Sequence, residues 1–152
     1  MLRVVVDTNV WVSALLNPHG FPARVLDALK ADQFEPLLSE ALLEELLDVL
    51  SRPRLVKKYH LAAQEVAEFA ALLEAKAIKV APPGELHLCR DPRDDVVLET
   101  ALVGKATYVV SRDDDLKRDA ELVQRMHELG GAVVSVSQFL SLLEAAAPQK
   151  EE

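Results

Sequence analysis

An α/β fold built on a central parallel sheet is the class this sequence predicts, and three observations carry the prediction. Short apolar runs rich in β-branched residues alternate with longer stretches of helical periodicity along the whole chain. The 152 residues are enough for one substantial core, and 50% of them are hydrophobic. No repeat, low-complexity tract or linker interrupts the alternation, so residues 1–146 read as one domain and 147–152 as a frayed tail. Strands and helices alternating in this way imply a parallel sheet of four to five strands, covered on both faces.

The elements follow in order. "LRVVV" (2–6) is a strand that stops abruptly on Asp7. "FPARVLDALKAD" (21–32) has Pro22 near a helix start and apolar residues at 25, 26 and 29, which is helical spacing. "EPLL" (35–38) is a short strand, and Ser39 caps the helix "EALLEELLDVL" (40–50). "RPRLVKKYH" is a short helix and turn, and "LAAQEVAEFAALLEAKA" (61–77) a long amphipathic helix. "IKV" (78–80) is a further short strand before the "APPGE" turn. The next helix takes Asp91 as cap and Pro92 as first residue, followed by a strand "TYVV" (107–110). "DAELVQRMHELG" (119–130) is a helix ended by Gly130, "AVVSV" (132–136) a last strand, and Ser137 the cap of the closing helix "QFLSLLEAA".

Composition excludes some classes. The apolar runs are too short to span a membrane, and the first residues lack the pattern of a signal peptide. A lone cysteine, Cys89, suits a reducing cytoplasm and has no cysteine partner for zinc. The formal net charge of −8, from 25 acids and 17 bases, argues against a nucleic-acid partner unless several acids converge on divalent cations, which invert the local charge.

The acids fall in four blocks. Asp7 ends the first strand, and "SRDDD" follows "TYVV", so both stand where open parallel sheets build ligand sites, beyond the carboxyl ends of strands. On the helix 40–50, Leu42, Leu43, Leu46, Val49 and Leu50 share a face; Asp48 points away from it, while Glu44 and Glu45 flank it and either could reach a cleft. In "CRDPRDDVVLETA", capping accounts for Asp91 and Asp94, which leaves Asp95 as the acid in need of another role. Gathered carboxylates repel, which raises pKa values or demands cations, and an oxygen-only set suits Mg²⁺ or Mn²⁺ and phosphoryl transfer. Thr8, Asn9, Ser39 and Ser111 are placed to orient such carboxylates.

Together, "VVVDTNVWVSALL", "LLSEALLEELLDVLSRP", "CRDPRDDVVLETAL" and "YVVSRDDDL" resemble the PIN-domain family of metal-dependent ribonucleases, and in particular the toxin components of bacterial toxin–antitoxin pairs. The likeness covers roughly residues 2–142. It implies a three-layer α/β/α fold, Mg²⁺ or Mn²⁺ as cofactor, and hydrolysis of single-stranded or structured RNA. It further implies a homodimer and a small antitoxin protein covering the site. The family's acids match Asp7, Glu45, Asp95 and Asp113, with Asp115 as an auxiliary ligand. Arg112 stands where relatives often carry glycine; Arg90, Arg93 and Arg112 are candidates for RNA contact.

Two other readings compete. A haloacid-dehalogenase-like phosphatase also uses an Asp after the first strand, but wants a second Asp two positions later, where this chain has Asn9. A catalytically silent scaffold that binds RNA or protein is the non-enzymatic alternative, disfavoured by the presence of all four acids.

Overall fold

The computed structural model describes residues 1–116 and 119–146. Among these residues five parallel strands stand in the order β3-β2-β1-β4-β5. They are β1 (Arg3–Val6), β2 (Glu35–Ser39), β3 (Ile78–Val80), β4 (Tyr108–Ser111) and β5 (Ala132–Ser135). The helices are α1 (Thr8–Leu16), α2 (Phe21–Lys30), α3 (Glu40–Leu50), α4 (Pro53–Tyr59), α5 (Ala63–Lys76), α6 (Pro92–Gly104), α7 (Ala120–Glu128) and α8 (Val136–Ala146). They sort by contact into two groups, α1, α2, α3, α5 and α8 in one and α6 with α7 in the other, α3 also meeting α6.

The central strands are apolar on both sides because both sides are covered. Val4, Val5, Val109 and Val110 are fully buried, so β1 and β4 show continuous valine rather than alternation. Leu29, Leu46, Leu98, Leu122 and Phe139 bring the helices onto them, each contributing roughly 1.5–3 kcal/mol of burial. Trp11 packs on Phe69 at 5.6 Å and Phe34 meets Phe139 edge-on at 5.1 Å, tying α1 to α5 and the start of β2 to α8. Gly104 closes the approach of α6 to the sheet: a Cβ there would stand 2.5 Å from Leu37 Cδ1.

Two details differ from what periodicity predicts. The stretch after Asp7 is helical: α1 buries Thr8, Val10, Trp11, Val12 and Ala14, and a helix buried on nearly every side has no polar stripe to betray its period. The closing helix begins directly after β5, with Ser135 rather than Ser137 as its cap. Ser135 Oγ accepts from Gln138 N–H at 3.1 Å and Gln138 Oε1 accepts from Ser135 N–H at 2.9 Å, a reciprocal capping box. Ser137 instead bonds to Asp113. The remaining caps stand where the sequence puts them: Ser39 Oγ accepts from Leu42 N–H at 3.4 Å, and Asp91 from Arg93 N–H at 2.9 Å.

Chain order locates the cleft. From β1 the chain moves outward through β2 to β3, then returns to the other side of β1 for β4 and β5. The switch point is therefore between β1 and β4, whose partners run Val4↔Tyr108, Val5↔Val109 and Val6↔Val110. Asp7 N–H donates to Val110 O at 2.9 Å, which fixes the first residue beyond β1 against the end of β4.

Candidate active site

Asp7 is the N-cap residue of α1, but its carboxylate makes no capping hydrogen bond of normal geometry. Its pKa is pushed up to about 7 by burial, then by the charges of Asp119, Glu45 and Asp115, with the nearby Asn9 N–H only partly offsetting them. The Asn9 N–H alone would hold the carboxylate down; burial, and then three neighbouring acids, outweigh it.

The other members arrive from separate elements. Glu45, half-buried on α3, accepts from Thr8 Oγ1 at 3.4 Å, whereas Glu44 on the same helix is exposed and faces away into the groove between α3 and β3. Asp115, 1% exposed, follows β4, accepts from Asn9 Nδ2 at 3.4 Å and forms an ion pair with Arg112, 3.3 Å from its Nε. Asp119 caps α7, its N–H donating to Asp115 O at 2.8 Å, and it bears on both Asp7 and Asp94. Burial, then Asp119 and Asp91, raise Asp94 to about 6. Thr8 and Asn9 thus hold acids in place. Ser39 spends its hydroxyl on the α3 cap and on Thr100 Oγ1, 3.0 Å away, and the buried Ser111 Oγ has no hydrogen-bond partner among the described residues.

Two acids chosen from the sequence face elsewhere. Asp95 is 7% exposed, and one of its oxygens accepts from Leu88 N–H and Cys89 N–H, both at 2.9 Å. Burial opposes its charge, but these two donors and the Cys89 thiol hold its carboxyl below the usual range. One helical turn on, Glu99 accepts from Gly84, Glu85 and Leu86 N–H at 2.5, 2.9 and 2.7 Å. Asp95 and Glu99 therefore clamp the loop 81–91 to α6 through five backbone donors. Asp113 is exposed and turns both oxygens to Ser137, its N–H at 3.3 Å and its hydroxyl.

The arginines near the cleft are engaged by acids. Arg93 forks onto Asp91, lowering that carboxyl, and stands 4.0 Å from Glu45. Arg112 forks onto Asp114 at 3.1 and 2.8 Å and donates to Ser13 Oγ at 3.1 Å. Arg90 is exposed, its backbone N–H donating to Glu121 at 3.0 Å. Cys89 is inert, its thiol pushed up to about 12 by burial and by Asp95 and Asp94.

Asp7, Glu45, Asp94, Asp115 and Asp119 offer only carboxylate oxygens, the donor chemistry of a hard divalent cation, and the neighbouring charges that help to raise Asp7 are ones a cation would offset. Among the described residues no three His, Cys, Asp or Glu side chains stand close enough to enclose an ion, so side-chain movement must complete any such site. No helix among those residues is long and apolar enough to cross a membrane.

Known proteins give the arrangement a setting. A family model described as "PIN domain" matches residues 3–115, from β1 through Asp115. An uncharacterised protein of Methanocaldococcus jannaschii is 26% identical over 145 residues, which cover 94% of this chain and 92% of that protein.

Proposed function

This chain belongs to the PIN domain family, and on that premise we propose that it is a metal-dependent endoribonuclease hydrolysing phosphodiester bonds of single-stranded RNA. PIN domains are typically metal-dependent nucleases. The observation that carries the reading here is the group of acids around Asp7 at the switch point between β1 and β4, where burial first and then the charges of its neighbours lift the Asp7 carboxyl to about 7.

We assign the holding of Mg²⁺ or Mn²⁺ to Asp7, Glu45 and Asp94, with Asp115 and Asp119 completing the set. Such an ion supplies Lewis-acid stabilisation of the charge developing on the phosphodiester and lowers the pKa of water beside it. Asp7 must shed its proton before it can serve as a ligand, so affinity for the ion rises with pH through about 7. Thr8 orients Glu45 and Asn9 orients Asp115. Arg112 holds Asp115 from the side and limits the repulsion between it and Asp7.

The finer reading is that the chain acts as the toxin of a toxin–antitoxin pair: a cytoplasmic homodimer whose acidic cleft is covered by a small antitoxin protein. Its support is the resemblance of the four acidic blocks to that branch. Growth arrest on induction, abolished by Asp7→Asn, tests the toxin role.

The nuclease itself is tested with labelled single-stranded RNA in Mn²⁺ and in EDTA. Cleavage in Mn²⁺ alone, reduced about a hundredfold or more in Asp7→Asn, is the expected result. Cleavage that persists in EDTA, or survives Asp7→Asn, overturns it. Binding without cleavage identifies a silent RNA-binding module instead.

A further inference from the structure

We propose that α4 and its flanks form a docking surface for the phosphate backbone of single-stranded RNA, separate from the acidic cleft; this deepens the nuclease reading and rests on it. Residues 49–64, "VLSRPRLVKKYHLAAQ", contain Arg52, Arg54, Lys57 and Lys58 and no acid, within a chain of net charge −8. All four cations are exposed, as are Tyr59 and His60. They are carried on a fixed support: Leu55 and Val56 are half-buried, Leu61 is buried, and Leu61 N–H donates to Val56 O at 3.1 Å. Arg54, Lys57 and Lys58, spaced i, i+3 and i+4, share one face of the helix.

The state of these cations separates them from those at the cleft. Arg93 and Arg112 are already forked onto acids. Arg54, Lys57 and Lys58 form no ion pair among the described residues, and Arg52 meets only the exposed Asp48 at 3.4 Å. Unpaired exposed cations are the groups whose counterion release drives binding to a polyanion. Lys58 Nζ stands 5.2 Å from the centre of the Tyr59 ring, and Tyr59 is 44% exposed. An aromatic face beside free cations suits a strand with unstacked bases; a surface for an acidic protein needs the cations without the ring.

An acidic cleft also creates the need for such a surface. Its carboxylates repel the substrate's phosphates until a cation offsets them, so charge elsewhere helps to hold the strand. The patch is near enough to serve: Arg54 follows Glu45 by so short a stretch that even a fully extended chain would hold them within about 30 Å.

Binding measured in EDTA tests the surface without calling on catalysis. Wild-type affinity for a long single-stranded RNA should fall with rising salt. Substituting Arg54→Gln, Lys57→Gln and Lys58→Gln together should flatten the log–log slope by about 2 and weaken binding at least about tenfold. Tyr59→Ala should weaken binding while keeping the slope, and a control with Lys30→Gln and Lys105→Gln should match wild type. In Mn²⁺ the triple variant should show a raised KM for the long RNA and keep wild-type turnover of a dinucleotide too short to reach α4. A triple variant that binds RNA with unchanged slope overturns the proposal. So does polyglutamate displacing RNA from the patch with no effect of Tyr59→Ala, which would mark an acidic-protein surface. RNA bound through the patch but left uncleaved in Mn²⁺ removes the nuclease and keeps the docking surface; cleavage with a silent triple variant does the reverse.

Discussion

A carboxyl lifted to about 7, as that of Asp7 is by burial and by Asp119, Glu45 and Asp115, holds a proton that the unfolded chain would have released at about 3.8. Its contribution to stability is present in full below about pH 4 and is lost as pH climbs through about 7, the reverse of an ion-paired aspartate. At about 1.4 kcal/mol per unit, the effect has an upper bound of about 4 kcal/mol. In EDTA, Asp7→Asn should therefore melt several degrees above wild type at about pH 8, with the gap closing near pH 5. Thermal melts across that range check it, and parallel curves for the two proteins would remove Asp7 from the centre of the acid group. Asp94 and Asp95 make the second contrast at this scale. Capping arithmetic accounts for Asp94 and leaves Asp95 over, yet Asp94 is the one raised, by burial and then by the acids around it, and Asp95 the one stabilised by two backbone donors. The two point about 100° apart on the helix, and which of them faces the cleft depends on where the loop 81–91 lies, for which the sequence carries no local signal. Asp94→Asn and Glu45→Gln should each lower cleavage about a hundredfold, while Asp95→Asn and Glu44→Gln retain most of it. Initial rates on one RNA decide the matter, and an inactive, folded Asp95→Asn would restore the choice made from spacing. Asp119 was hidden for a simpler reason: an acid at a helix start reads as a cap.

Elements marked by an amphipathic stripe or by a short β-branched run were legible, and a helix buried on nearly every side was not. The leucine stripe of α3 and the valine runs of β1 and β4 stand where the sequence puts them. α1 escaped because apolar and β-branched residues occupy nearly all its positions, so no period survives in its sequence. The loop 81–91 offers the strongest test at this scale. It lacks regular structure, yet five of its backbone donors end on two buried carboxylates one turn apart on α6. Hydrogen bonds to a charged acceptor are worth roughly 1.5–3 kcal/mol each, so Glu99→Gln should destabilise the protein by about 2 kcal/mol or more. Hydrogen exchange reads it directly: the amides of Gly84, Glu85 and Leu86 should exchange slowly in wild type and quickly in Glu99→Gln. Fast exchange in wild type would mean that the clamp is open in solution.

Over the whole molecule, the sum of charges misleads where their placement does not. A net charge of −8 argues against a polyanionic partner, but Asp7, Glu45, Asp115 and Asp119 gather at the switch point, and residues 49–64 carry four cations and no acid. A divalent ion entering the acid group binds the native state alone, so saturating Mn²⁺ should raise the melting temperature, by about 2.7 kcal/mol of added stability at a hundred times its dissociation constant. An unchanged melt at millimolar Mn²⁺ would count against the group as an ion site, and the shift should shrink in Asp7→Asn. The topology that makes this site also sets when it can exist. β1 is made first, but its neighbour β4 and the acids of Asp94, Asp115 and Asp119 come from the far part of the chain. At translation speeds of about 5–20 residues per second, Asp7 leaves the ribosome on the order of ten seconds before Asp119. Through most of that interval the nascent polypeptide lacks β4 and carries only Asp7 and then Glu45 of the acid group, so the proposed nuclease cannot assemble on the message from which it is being read.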